Sequence, residues 1–222
     1  MEPFHMCLAL GPAAVYLLLL GALNLCRRPF LVSGARDAAA LGLAVSGFVI
    51  VGPMELFFPS AAAMRFGAFI WVLLLALYAL GLVLLLLWLR PRLIIYNISA
   101  DQLRPILADL VDQLDPQARW AGDSLALPGL GVQLHVEDLS WMRNVSLVSA
   151  GGSQNHFGWR RLERALSAEL VSVEVSRNPR GASLAGAGLL IVVGMIGVVA
   201  RDPEAVARPL LEIGQSVFSI LP

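Results

Sequence analysis

The sequence predicts a membrane α-helical protein with four transmembrane helices and an α+β domain inserted between the third and fourth of them. Three observations lead to this fold class. Hydrophobic residues make up 58% of the 222 residues and charged residues only 14%, whereas soluble domains carry about 25% charged residues. Four stretches are long and apolar enough to cross a bilayer. Between the last two of them, strand-like and helix-like patterns alternate.

The first three spans are predicted at residues 7–26, 38–57 and 68–89. Span one has no charged residue over twenty positions, the length that about 30 Å of hydrocarbon requires. Span two is rich in small residues, which let neighbouring helices approach closely. Its Glu55 is the intramembrane polar candidate. Because Glu55 lies near the outer end of the span, we favour a place at the membrane interface over a role as a proton relay.

The fourth span is predicted at residues 183–200. Its glycines Gly186, Gly188 and Gly194 are candidates for close helix packing. After it, apolar residues recur at steps of three and four, which predicts an amphipathic helix on the outer face of the membrane. An ordinary helix packed on a partner is the alternative.

Arginines in the short loops predict the orientation of the chain. Arg27, Arg28 and Arg36 lie between spans one and two, whereas Arg65 alone lies between spans two and three. Since positive residues concentrate on the cytoplasmic side, both termini are expected outside and the domain, residues 91–180, in the cytoplasm. The predicted localisation is a multi-pass protein of the bacterial inner membrane, with residues 1–90 and 181–222 as its two membrane parts.

The domain pattern begins with a strand directly after span three. A capping box from Ser99 to Gln102 predicts a helix start near residue 100, and Gly122 lies at the turn of a predicted hairpin. Two further strands are expected near residues 131–137 and 143–148, then a second helix at 156–170. The motif VSVEV, residues 171–175, is predicted to be the last strand.

This order of elements resembles the split-βαβ, or ferredoxin-like, sandwich with an extra hairpin. In that plan the first and last strands are antiparallel neighbours. We therefore expect VSVEV to pair with the strand that begins at Arg92, and spans three and four to enter the bilayer side by side. Pro91 disfavours helical geometry at Arg90, so span three should stop there and leave no helical stalk.

No catalytic, cofactor-binding or metal-binding cluster is predicted. His135 and Glu137 share one strand face, but a solvated face is the favoured interpretation, and His156 is interpreted as part of a capped helix start. Asn97 and Asn144 match the glycosylation sequon in predicted cytoplasmic strands and receive no functional weight. All sixteen basic residues are arginine, which excludes lysine-based chemistry.

Basic and aromatic residues near the membrane and on the second domain helix are candidates for contact with lipid or a partner. The domain counts nine Arg against ten Asp plus Glu, so nucleic acid is not an expected partner. Anionic lipid or an acidic protein fits better, with a solvated face and an Arg160–Glu163 contact as the alternative. The candidates are Arg90, Arg92, Trp159, Arg160, Arg161 and Arg164.

Three functions follow from these patterns. The first is a non-enzymatic accessory or scaffold subunit of a membrane complex, in contact with membrane lipid and with other membrane subunits or a second copy of the chain. The second is a sensor or regulator whose domain binds a ligand or lipid. An enzyme or transporter is the least favoured, and no cofactor is expected.

Overall fold

The structure is a computed structural model and describes residues 3–54, 69–139, 141–152, 154–208 and 211. The chain forms two compact units. The helical unit comprises Met1–Leu19, Ala39–Leu87 and Leu184–Pro222, and the sheet unit comprises Leu20–Ala38 and Trp88–Ser183.

Six α-helices and six strands make up the described chain. In chain order they are α1 (Pro3–Leu25), β1 (Phe30–Ser33), α2 (Gly34–Val49, continued by a π-helix over Ile50–Met54), α3 (Phe69–Trp88), β2 (Arg92–Tyr96), α4 (Ala100–Leu114), β3 (Arg119–Ala121), β4 (Ser124–Leu127), β5 (Val132–Leu139), β6 (Asn144–Ser149), α5 (His156–Val171) and α6 (Pro179–Arg201). A short 3₁₀ turn over Pro128–Leu130 precedes β5.

Four helices, α1, α2, α3 and α6, are long and apolar enough to cross a membrane. The four helices expected from the hydrophobic runs are therefore confirmed as helices. Helix α3 ends at Trp88, two residues before Arg90, the residue that Pro91 keeps out of helical geometry. The prediction that span three ends here without a helical stalk is therefore also confirmed.

Inside the helical unit, neighbouring helices contact each other through small residues and one tyrosine. Tyr78 on α3 donates its hydroxyl proton to the Gly42 carbonyl on α2, over 2.6 Å. Gly47 on α2 lies against the backbone carbonyls of Leu8 and Ala9 on α1, where a Cβ atom would not fit. Small residues therefore allow backbone-to-backbone approach of helices.

The sheet unit is an antiparallel sheet with two helices packed on one face. The strand order is β1-β2-β6-β5-β4-β3. Apolar residues at alternate strand positions, such as Leu93 paired with Leu147, pack against Leu107 of α4 and Leu166 of α5 to form the buried core. An α+β sandwich is the result.

Local signals of the domain are confirmed. The Ser99–Gln102 capping box is present at the start of α4, and Gly122 takes a left-handed φ of 63° in the turn between β3 and β4. The alternation of Val132 and Leu134 with exposed Gln133 is the predicted pattern of one buried and one wet face.

The predicted last strand is wrong. Residues 173–178, here called the strap, belong to no helix or strand. The neighbours of β2 are β6 on one side and β1 on the other. The segment between the first two apolar helices thus occupies the position that the split-βαβ plan gives to the last strand.

The side chains and hydrogen bonds around β1 explain this difference. Phe30 pairs with Tyr96 and Ser33 with Leu93, and Leu31 packs on the apolar core. The strap has no free edge of β2 to join, so its Val175 N–H donates to the Arg27 carbonyl over 2.9 Å. The pairing that predicted adjacent spans three and four is therefore not formed.

The isolated fragment 88–183 should be poorly folded, because β2 then exposes its whole edge and loses the cover of β1. Fusing residues 27–38 through a flexible linker to the start of this fragment should restore a cooperative unfolding transition and a monomeric elution volume. The matched control is the same fusion with Leu31→Asp, which should lose the rescue. A fragment 88–183 that is as stable as the fusion would contradict the role of β1.

Candidate functional site

Trp159 is a core residue. Its side chain is buried among the apolar residues that α5 packs on the sheet, and its indole N–H donates to Gln154 Oε1 over 2.9 Å. Since the ring is 5% exposed, it is not available to lipid or a partner.

Arg90 and Arg92 follow the end of α3 and have different surroundings. Arg90 is exposed. The Arg92 side chain lies across Gly34, where a Cβ atom would collide with it, and its Nη2 atom is 3.9 Å from Asp37 Oδ2. Asp37 also accepts a 2.5 Å hydrogen bond from the Tyr96 hydroxyl. Arg92 therefore connects β2 to the first turn of α2 and is largely committed within the sheet unit.

The remaining three candidates lie together on α5. Arg160, Arg161 and Arg164 are exposed, and Phe157 beside them is 81% exposed. Spacings of three, four and seven residues place these four side chains on one side of the helix. We call this surface the arginine face (Phe157, Arg160, Arg161 and Arg164). An exposed phenylalanine among arginines is typical of a surface that contacts another molecule, since aromatic residues and arginine are enriched in interfaces.

Glu163 lies between these arginines along the chain but forms its ion pair elsewhere. Its Oε1 atom is 3.9 Å from Nη1 of Arg36 in the first turn of α2. In the described part of the chain, no ion pair joins Glu163 to Arg160. The Arg160–Glu163 ion pair is therefore not formed, while the exposure of the three arginines agrees with the solvated-face alternative as well.

The two domain histidines lie on the surface. His135 Nδ1 is 3.0 Å from the Ser124 hydroxyl on the neighbouring strand, and Glu137 is exposed on the same sheet face. His156 is the first residue of α5, whose start is capped by Asn155. Among the described residues no group of three His, Cys, Asp or Glu could hold a metal ion.

The candidate residues within the predicted spans differ in their surroundings. A Cβ atom at Gly188 would lie 2.9 Å from Leu18 Cγ and 3.1 Å from the Ala14 carbonyl oxygen of α1, whereas Gly186 and Gly194 face open space. Glu55 lies outside the described residues. Most of the predicted amphipathic segment after α6 also lies outside them, apart from residues 201–208 and 211.

Replacing Gly188 with leucine should destabilise the protein by about 1–3 kcal/mol, because the new side chain overpacks the contact with α1. Gly186→Leu on the same helix is the matched control and should stay within about 1 kcal/mol of the parent, since both changes raise helix propensity equally. Thermal unfolding in detergent measures both. Equal losses of stability in the two variants would show that α6 does not pack closely against α1 at Gly188.

Four buried asparagines join separate segments of the sheet unit. We call them the asparagine junction (Asn24, Asn97, Asn144 and Asn178); none is more than 7% exposed. Asn178, at the end of the strap, donates from its Nδ2 atom to the Met142 carbonyl over 2.8 Å and to Asn24 Oδ1 over 3.2 Å. Its backbone N–H donates to the Asn24 carbonyl over 3.0 Å. One side chain thus joins the end of α1, the strap and the turn before β6.

Asn97 forms the second half of the junction, at the end of β2. It has a left-handed φ of 63°, which asparagine tolerates better than most residues. Its Nδ2 atom donates to the Cys26 carbonyl over 2.6 Å, and its backbone N–H lies 3.3 Å from Asn144 Oδ1. Because Asn97 and Asn144 are buried, the glycosylation reading of both sequons has no support in the folded chain.

The junction is the feature that sequence reasoning missed. Asn24 lies within the first apolar run, and Asn97 and Asn144 match glycosylation sequons. The sequence signal for the junction is a polar residue at a position that the hydrophobic pattern predicts to be buried. Such residues need hydrogen-bond partners. Asn24 Nδ2 donates to the Leu20 carbonyl of its own helix over 2.8 Å, and its Oδ1 atom accepts from Asn178 of the strap.

Replacing Asn178 with alanine should lower the free energy of unfolding by about 2 kcal/mol, because its side-chain hydrogen bonds with Met142, Asn24 and Arg180 are lost and the buried Asn24 Oδ1 atom stays unpaired. Gln113→Ala, at an exposed position of α4, is the control and should have little effect. Chemical denaturation followed by circular dichroism compares the two. An Asn178→Ala variant with the same free energy of unfolding as the parent would contradict the stabilising role assigned to this side chain.

Comparison of the chain with models of protein families, with curated proteins and with solved structures found no match.

Proposed function

We propose that this chain is a non-enzymatic accessory or scaffold subunit of a membrane protein complex. In this proposal α1, α2, α3 and α6 cross the bacterial inner membrane, with both termini outside. The sheet unit then lies at the cytoplasmic surface and offers the arginine face to an acidic region of a neighbouring subunit.

The observation that carries the proposal is the origin of β1. This strand comes from the segment between α1 and α2, while β2 follows α3 with three residues between them. The sheet is therefore continuous with the connections of three apolar helices. This shared attachment of three connections to one sheet supports a scaffold role.

The arginine face supports a protein partner over a nucleic acid. Three exposed arginines surround an apolar side chain, Phe157, which gives both charge and an apolar contact. Arginine and aromatic residues supply much of the binding energy in protein interfaces. The partner surface should therefore be acidic with an apolar recess.

A sensor or regulator is the second candidate, and one observation favours it. Glu163 on α5 pairs with Arg36 in the first turn of α2 at 3.9 Å. Binding at the arginine face is thereby linked through one ion pair to the start of an apolar helix.

A photoreactive amino acid in place of Phe157, in the full chain in cells, should form an adduct with one discrete protein. The same amino acid in place of Gln113, exposed on α4, is the control and should give no adduct of that mass. Denaturing electrophoresis with mass spectrometry of the adducts is the measurement.

Charge reversal sharpens the test. Arg161→Glu should reduce the yield of the adduct at position 157 several-fold, because like charges then face each other. Arg119→Glu, on the exposed edge strand β3, should leave the yield unchanged. Adducts with lipid alone, or equal protein adducts at positions 157 and 113, would contradict a docking role of the arginine face.

A further inference from the structure

The turn between β5 and β6 exposes two large apolar side chains. Leu139, the last residue of β5, is 49% exposed and Trp141 in the turn is 59% exposed. A single exposed apolar side chain is ordinary on a protein surface, but two large ones at one hairpin tip are a candidate contact with an apolar phase.

Three contacts fix this turn to the beginning of α6. Asn178 Nδ2 donates to the Met142 carbonyl over 2.8 Å. Arg143 Nη1 donates to the carbonyl and hydroxyl oxygens of Ser176, each over 3.1 Å. The Arg180 guanidinium carbon, in the first turn of α6, lies 5.9 Å from the centre of the Trp141 ring. The turn therefore stays beside the point where α6 begins.

That point is where an apolar helix starts. α6 runs for 23 residues from Pro179 and is long and apolar enough to cross a membrane. If α6 crosses a bilayer, its first turn lies among lipid headgroups. Tryptophan is enriched at this depth, where its ring is apolar and its N–H remains hydrated.

The charges near the turn fit a phosphate surface. Arg143, Arg177 and Arg180 are basic, while Glu174 on the strap is acidic. Arg177 and Arg180 are exposed, and arginine binds phosphate through paired N–H groups. An excess of arginine at the cytoplasmic side of a span also favours anionic lipid.

We propose that Leu139 and Trp141 insert into the headgroup region of the bilayer and that Arg180, stacked beside Trp141, binds a lipid phosphate. This inference rests on the proposed membrane insertion of α6. The β5–β6 turn then acts as a lipid anchor that is separate from the arginine face on α5.

The test uses the full chain in vesicles of phosphatidylethanolamine and phosphatidylglycerol, with acyl chains brominated close to the headgroup as quenchers of tryptophan emission. Trp141→Phe should remove part of the quenched emission. Trp120→Phe, on edge strand β3, is the control and should leave the quenched emission unchanged. Arg180→Gln should reduce the quenching of Trp141, and quenching equal to that of the parent would overturn the phosphate contact.

The Trp88→Phe variant distinguishes a failure of the lipid anchor from a failure of the proposed membrane insertion. This residue ends α3 and is 88% exposed, so Trp88→Phe should also remove quenched emission if the apolar helices are inserted. Loss with Trp88→Phe but none with Trp141→Phe would overturn the lipid anchor and leave membrane insertion standing. Absence of any quenching in the parent would overturn both.

Discussion

The antiparallel pairing of β1 with β2 is the constraint on which the sheet unit depends. At one end of the pair, Ser33 and Leu93 are partners, next to the start of α2 and the end of α3. At the other end Phe30 pairs with Tyr96, and the following Asn97 binds the Cys26 carbonyl just after α1. A strand of four residues spans about 13 Å at 3.3 Å per residue. The pair therefore separates these helix ends by a fixed distance.

The asparagine junction completes this arrangement at the α1 end. Here the strap and the residues after α1 run outside the sheet, so their backbone groups lack ladder partners and need others. Asparagine supplies a donor and an acceptor on a short side chain. Asn178 uses both, since its Nδ2 atom donates to the Met142 carbonyl and its Oδ1 atom accepts from the Arg180 N–H over 3.1 Å. The strap is thereby fixed without becoming a strand.

Sequence patterns predicted the elements whose causes are local. The Ser99–Gln102 box, the turn at Gly122 and the four apolar helices each depend on residues within a few turns of chain. The pairing of β2 with β1 does not depend on local residues. Strand β1, Phe30–Ser33, is too short for a periodic signal and lies about sixty residues before β2. VSVEV has the stronger β pattern, but α5 extends to Val171 and uses part of it.

The same distinction applies to the candidate site. Helical spacing alone is enough to bring Arg160, Arg161 and Arg164 to one side of α5, since this depends only on 3.6 residues per turn. Trp159 was a contact candidate, but its ring is buried in the core. The arginine face also includes Phe157, whose 81% exposure depends on tertiary packing and has no signal in the local sequence pattern.

The contacts within the sheet unit differ in strength, and this difference bears on the choice between the two proposed functions. The Arg36–Glu163 pair is 3.9 Å long and Arg36 is 78% exposed, so it contributes at most about 1 kcal/mol. The apolar packing of Leu31 and the buried hydrogen bonds of Asn97 and Asn178 are individually comparable or larger. A ligand can shift an equilibrium only by its difference in affinity for two arrangements. The buried contacts favour a single arrangement of the sheet unit, and this rigidity agrees better with the proposed scaffold role than with the proposed sensor role.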